Sequence, residues 1–410
     1  MKKINVILLS CLLFIGCDNN NKTVSSYTKS EIASLHLDKT KTLPVKSKDI
    51  EIINLNHHLK NENFDFTPLV KNIHITPLES NDNSLIANTY KIVVEKEHIY
   101  IYDDYLGGGV AIFTNSGKFI KRIPNGSGPG ELYKISDITF NKDKEQLLVY
   151  QHPYILYFTK TGNYITQKKI PFGFYNFESI GDHLLFKTLD SKGNKHLDKI
   201  MNNTLLITDQ NFKIEFAGLN SPEYKANYGG YNYLKKNGNH IHIAENNNDT
   251  IFHYNDSTKE IKAAYVLDYT KRKLPKEYWN LSGREFTNAL SKNNYFFFIG
   301  EYFETKTHHA FILRNNYLRK SFIYYRDKMT GEIIGGCNAN IDIEQIPPIA
   351  FPKSVYDNYF ISIYYPNNKN NSFVNSRFLS AKDKSILQSM NEDDNPILVL
   401  YELNSFTSKQ

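Results

Sequence analysis

Cysteine and tryptophan are nearly absent from this chain. Its 410 residues include three cysteines and one tryptophan, Trp279. Cys11 and Cys17 fall within the first 17 residues, which leaves Cys337 alone in the body of the chain. No disulfide can form within that body, so its stability has to come from a packed core. Long apolar runs are also lacking. The run Ile4–Ile15, broken by Asn5, Ser10 and Cys11, is too short to span a bilayer, which takes about 20 residues. Charge of one sign is nowhere concentrated. The 49 lysines and arginines stand against 43 aspartates and glutamates, a net +6, and their scatter argues against a nucleic-acid partner. Two catalytic signatures are missing, the Gly-x-Ser-x-Gly nucleophile elbow and the His-Glu-x-x-His zinc helix.

Aromatic residues, by contrast, make up 14% of the chain, with 29 Tyr and 26 Phe. Such side chains favour strands, and the composition leans all-β. The chain opens as a leader: Lys2 and Lys3, a short apolar run, then Gly16 before Cys17. The Gly-Cys ending has the form of a bacterial lipobox. It predicts cleavage before Cys17, acylation of that thiol, export, and a lipid anchor in the cell envelope, expected at the outer membrane on its periplasmic or surface side. Residues 1–17 are thus read as signal peptide and lipobox. Residues 18–48, rich in Asn, Lys, Ser and Thr, are expected to form a flexible tether reaching about 30 Å. Residues 49–410 are expected to be one folded domain.

Within that domain the pattern is of short strands separated by turns, or hairpins in series. A repeat organises them. Ile112-Phe-Thr-Asn-Ser-Gly-Lys-Phe-Ile120 recurs as Tyr157-Phe-Thr-Lys-Thr-Gly-Asn-Tyr-Ile165, and the turn residues Gly117 and Gly162 stand 45 residues apart. Fainter copies put Asn211 and Gly331 at the equivalent turns. A period of 40–50 residues with four strands each marks a β-propeller. The stretch Lys118–Asp137, with Gly126, Gly128 and Gly130 between two strands, is then the joint between two blades. Six blades fit the length, with short helical insertions at Leu274–Trp279, Gly283–Lys292 and Ser380–Met390. The N-terminal strands should close the ring on the last blade, hiding the sheet edges.

With the repeat in view, residues 65–403 resemble the six-bladed β-propeller lipoproteins of Bacteroidota. The matching stretches are Ile75-Thr-Pro-Leu-Glu79 with Ser84-Leu-Ile86, Gly128-Pro-Gly-Glu131, Asp249-Thr-Ile-Phe252 and Asn395-Pro-Ile-Leu-Val-Leu-Tyr401. The Gly-x-Gly-x-Gly-Glu crossing also resembles the NHL-type propeller repeat. The resemblance implies the fold and a lipoprotein address. It implies no catalytic residues.

The individual motifs point to structure more than to chemistry. Gly126–Glu131 is no phosphate cradle, because Glu131 stands where a P-loop needs Lys and repels an anion. Glu131, Tyr133 and Lys134 are weak candidates for a ligand contact near the channel mouth. Tyr228 and Tyr231, beside Gly229-Gly230, are candidates for stacking on a sugar ring. His57-His58 and His308-His309 are adjacent pairs whose side chains point to opposite faces. His240-Ile-His242 shares a face but shows no third ligand in sequence, so no metal and no cofactor are expected. Cys337 reads as buried filler. The expected function is that of a lipid-anchored, monomeric binding or scaffold module for a glycan, peptide or protein. A lyase or hydrolase with its site at the channel mouth is the alternative, and a sensor ectodomain a more distant one.

Overall fold

The structure, a computed structural model, describes residues 27–104, 108–188, 193–220, 233–237, 240–245, 248–341, 344–345, 349–366, 373 and 376–406. The repeat closes into a ring of six antiparallel sheets. Blades one to five run in chain order over residues 89–122, 137–169, 174–220, 234–268 and 297–336, each with four strands ordered from the axis outward. Blade six takes three strands from the end of the chain, Ser354–Tyr356, Tyr359–Tyr364 and Ile397–Leu403, and its outermost strand, Val70–Pro77, from the beginning. The ring is thereby tied shut as expected. The crossing 118–137 does join the outer strand of blade one, Phe119–Arg122, to the inner strand of blade two, Asp137–Asn141. Two expected insertions are helices at Gly283–Lys292 and Ala381–Ser389, the latter started by a Ser380/Asp383 capping box. The third consists of two 3₁₀ turns, Thr270–Arg272 and Lys276–Asn280.

The sequence of each blade follows its distance from the axis. Second and third strands are sandwiched between neighbouring blades, so both faces are apolar: His98–Asp103 is buried at every position, and Gly109–Thr114 at all but the last. Six apolar clusters result, one at each interface between successive blades. A seventh forms where the Gly283–Lys292 helix covers Trp279 and Phe297. Inner strands instead carry polar residues toward the axis, including Lys91, Asp137, Thr139, Asn176 and Glu178, all buried.

The repeat is also visible in backbone irregularity. Blades one to four each shift register between the third and outer strands, at Ile112/Phe113, Tyr157/Phe158, Ile207/Thr208 and Ile251/Phe252. Such bulges add twist to the outer edge of a blade. Gly117 is required at its turn: its φ is +85°, and a Cβ there would stand 2.0 Å from the carbonyl oxygen of Pro77 on the closing strand. In blade three the expectation for Asn211 needs correcting. Phe212, not Asn211, takes the left-handed conformation, with φ 66°. That costs an ordinary residue about 1–2 kcal/mol, and burial of the phenyl ring between blades two and three offsets it.

The tether reading also needs correcting, in its second half. Residues 1–26 lie outside the described residues, but from Lys29 onward the chain is a strap along the rim of the disc. Lys41–Thr42 adds parallel to the outer strand of blade three, and Val45–Lys46 and Glu51–Asn54 add to that of blade four. Asn63–Asp65 then pairs with Asn338–Ile341 beyond blade five. At each interface passed, the strap inserts an apolar side chain: Leu35 between blades two and three, Leu43 between three and four, Ile53, Leu55 and Leu59 between four and five, and Phe64, Phe66 and Leu69 between five and six. Each fully buried side chain of this size contributes roughly 1.5–3 kcal/mol.

Candidate functional site

The six inner strands converge on a cavity of about 340 Å³ on the axis of the ring. Its wall includes Lys91, Thr139, Glu178, Lys235 and Phe303, with Lys353 at the start of the blade-six inner strand, and its rim Glu95, Lys142, Lys306 and Asp357. The rim residues follow the C-terminal ends of inner strands, so the cavity opens on the face of the disc that carries the turns between first and second strands. The volume lies at the small end of the range for ligand pockets.

Deep in the cavity the charges are mutually satisfied. The Lys91 ammonium is 2.8 Å from Asp137 Oδ1 and 3.0 Å from Glu178 Oε1. The second oxygens are also used. Asp137 Oδ2 accepts the Phe177 N–H at 2.9 Å, and Glu178 Oε2 accepts the Thr139 hydroxyl at 2.5 Å. Burial alone would lower the Lys91 pKa. Asp137 and Glu178 outweigh that and hold the ammonium above its usual range. Away from the cavity lining, Lys187, Thr204 and Glu245 form a second such group between blades three and four, with contacts of 2.6 and 2.5 Å to Glu245. Asp137 and Glu178 tie inner strands together and have little capacity left for chemistry.

Nearer the mouth the balance differs. Lys142 is 3.8 Å from Glu95, Lys235 3.3 Å from Glu301, and Lys306 2.5 Å from Asp357. Lys236 has no carboxylate within ion-pair distance among the described residues. Its ammonium makes one long contact, 3.5 Å, to the Phe140 carbonyl, and burial holds its pKa below the usual range although Glu178 and Glu95 pull it back. Lys353, exposed and lining the cavity from the start of its inner strand, likewise shows no carboxylate partner among the described residues. The cavity is therefore a partly desolvated concavity with two such cations in its lining.

Among the described residues, those singled out from sequence lie elsewhere. Glu131 braces its own crossing by accepting the Gly128 N–H at 2.7 Å. Tyr133 is exposed, with its N–H bonded to Gln151, and the Lys134 ammonium stands 5.0 Å from the Tyr133 ring. This crossing leads into the start of an inner strand, whereas the cavity opens beyond the strand ends, and none of the three lines it. Tyr228, Tyr231 and Cys17 lie outside the described residues. Cys337 is half-buried, donates to the Glu62 carbonyl and has its thiol pushed up by burial, the opposite of an activated nucleophile. Sequence reasoning missed the axial lysines. The inner-strand segment Leu234–Asn237 is short and follows residues with no periodic pattern, so Lys235 and Lys236 read as ordinary surface charge.

Donors suited to a metal lie off the axis, between blades four and five. There His242, His253 and Glu304 bring one ligand atom each to within 4.8 Å of one another. The third ligand that His242 lacks in sequence is thus present in space. His308 and His309 do point to opposite faces, His308 to the Asn404 carbonyl and His309 to Glu304.

Fold and cavity together define the class: a six-bladed β-propeller with a ligand-sized cavity on its axis. The chain belongs to the family described as Domain of unknown function (DUF4934), whose model matches residues 50–402. Among solved structures it is similar to a protein of Bacteroides fragilis NCTC 9343 to which export is ascribed. That match has 20% identity and a TM-score of 0.67, and covers 86% of this chain and 100% of the other. Weaker likenesses are to BamB from Moraxella catarrhalis (9% identity, TM-score 0.36, covering 82% and 100%) and to PorZ from Porphyromonas gingivalis (11%, 0.32, covering 70% and 31%). Among curated proteins none matches the sequence.

Proposed function

We propose that this protein is an extracytoplasmic, lipid-anchored binding module whose axial mouth receives an acidic group of a glycan, peptide or protein ligand. One observation carries the binding half of this reading: the Lys236 ammonium, without a carboxylate partner among the described residues, in a partly desolvated cavity that Lys353 also lines. A carboxylate or sulfate entering there would gain a charge-assisted hydrogen bond in a medium of low dielectric. The address rests on the leader ending at Cys17; the Bacteroides fragilis likeness extends to the fold only. The saturated Asp137 and Glu178 favour a binder over a catalyst that would use them.

The test is calorimetric titration of the purified protein with sialylated and sulfated oligosaccharides, Asp/Glu-rich peptides and their neutral analogues. An acidic ligand should bind, weaken as salt rises, and lose affinity by roughly tenfold, about 1.4 kcal/mol, in Lys236→Ala. Lys353→Ala should act in the same direction. Neutral analogues binding equally well, or lysine variants binding like the parent, would overturn the reading.

A further inference from the structure

Two cross-strand pairs face each other across the interface of blades four and five. His242 stands opposite His253 in one blade, and Glu304 opposite His309 in the next. His242 is 5% exposed and His309 fully buried. Among the described residues, neither ring nitrogen of either residue has a partner in hydrogen-bond geometry, nor does Nε2 of His253. A neutral imidazole carries one N–H and one lone pair, and leaving either unpaired in a dry interior costs about 1–3 kcal/mol. Stacking does not remove that cost. The His242 and His253 rings meet edge to face at 4.4 Å and Tyr265 packs on His309 at 4.5 Å, yet the lone pairs remain unused.

From this we infer that His242, His253 and Glu304 form a three-donor binding site for a first-row divalent transition ion, zinc by donor type, with the remaining position left to water or a ligand. The distances fit. His242 Nδ1 and His253 Nε2 each lie 3.4 Å from Glu304 Oε2. Donors at about 2.0–2.1 Å around a tetrahedral zinc stand about 3.3 Å apart. His309 Nε2 is 3.8 Å from the other carboxylate oxygen. Glu304 is held in place from outside the site, as ligating carboxylates usually are: the Tyr302 hydroxyl donates to Oε2 at 2.5 Å and the Lys328 ammonium to Oε1 at 2.6 Å. Imidazole nitrogens exclude calcium and magnesium as the preferred guest. His253 is only partly buried, 22% exposed at its side chain, and offers the way in. The ion would add a tie between two blades that already meet through apolar contacts and the Lys235–Glu301 ion pair.

The test uses protein without a polyhistidine tag. After equilibration with zinc and dialysis, about one zinc per chain should remain by mass spectrometry, and the melting temperature should rise above that of the EDTA-treated protein. His253→Ala should lower zinc affinity on the order of 100-fold while melting like the parent in EDTA, whereas His240→Ala, at an exposed position two residues from His242, should leave it unchanged. X-ray absorption of the parent should show a nitrogen/oxygen shell at about 2.0 Å with imidazole scattering. Less than about a tenth of an equivalent retained by the parent, equal retention in His253→Ala, or a shell without imidazole would overturn the assignment.

Discussion

Two buried polar clusters in this ring make opposite use of their charges. On the axis, Lys91 meets Asp137 and Glu178, and both carboxylates have their second oxygens satisfied by protein donors. Between blades four and five, three histidines crowd one carboxylate, with five ring nitrogens unpaired. The first cluster is complete from the protein's own atoms and serves the fold. The second is incomplete without a guest. Burial alone does not separate structure from function here; the number of unanswered donors and acceptors does.

Breaking the complete cluster should have the largest effect. Lys91→Met leaves two carboxylates uncompensated on the axis and should destabilise the protein by about 3–5 kcal/mol in urea denaturation. A loss under about 1 kcal/mol would mean the axis is wetter than the contacts indicate. In the metal-free protein Glu304→Gln should cost less, about 1–3 kcal/mol, because it weakens the hydrogen bonds of Tyr302 and Lys328 while two of its histidine neighbours stay neutral. Burial holds His242 and His309 down to about 3, so neither ring needs the carboxylate's charge at pH 7. His242→Leu should cost least. Removing a ring with no hydrogen bonds to lose should shift metal-free stability by no more than about 1 kcal/mol, in either direction. A loss comparable to that of Lys91→Met would show that the histidines are already answered, and the contrast between the clusters would fail.

The fold was largely legible in the sequence because hairpin turns leave local marks. Gly117 and Gly162 announced two blades, and the stretches Gly283–Lys292 and Ser380–Met390 read as helices. The strap was not legible. Lys41–Thr42 and Val45–Lys46 are two-residue strands that pair through backbone alone, so no side-chain periodicity betrays them. Asn211 was expected at its turn because local propensity favours it there, whereas Phe212 takes the left-handed conformation and a distant interface claims its phenyl ring. The histidine cluster was half visible. His242 and His253 flank one hairpin, and Glu304 and His309 flank another, but nothing local says that the two hairpins face each other. The axial cavity was invisible for a related reason: six short segments contribute to it, none recognisable alone.

The strap carries a consequence for the order of assembly. Its side chains plug gaps between blades made of residues far downstream, and Val70–Pro77 waits for Ile397–Leu403, a partner more than 300 positions later. Contacts between such distant segments slow folding, since loop-closure entropy is spent before they form. The strap can therefore seat only in steps, as blades three, four and five appear, and Val70–Pro77 last of all, once the end of the chain is there to receive it.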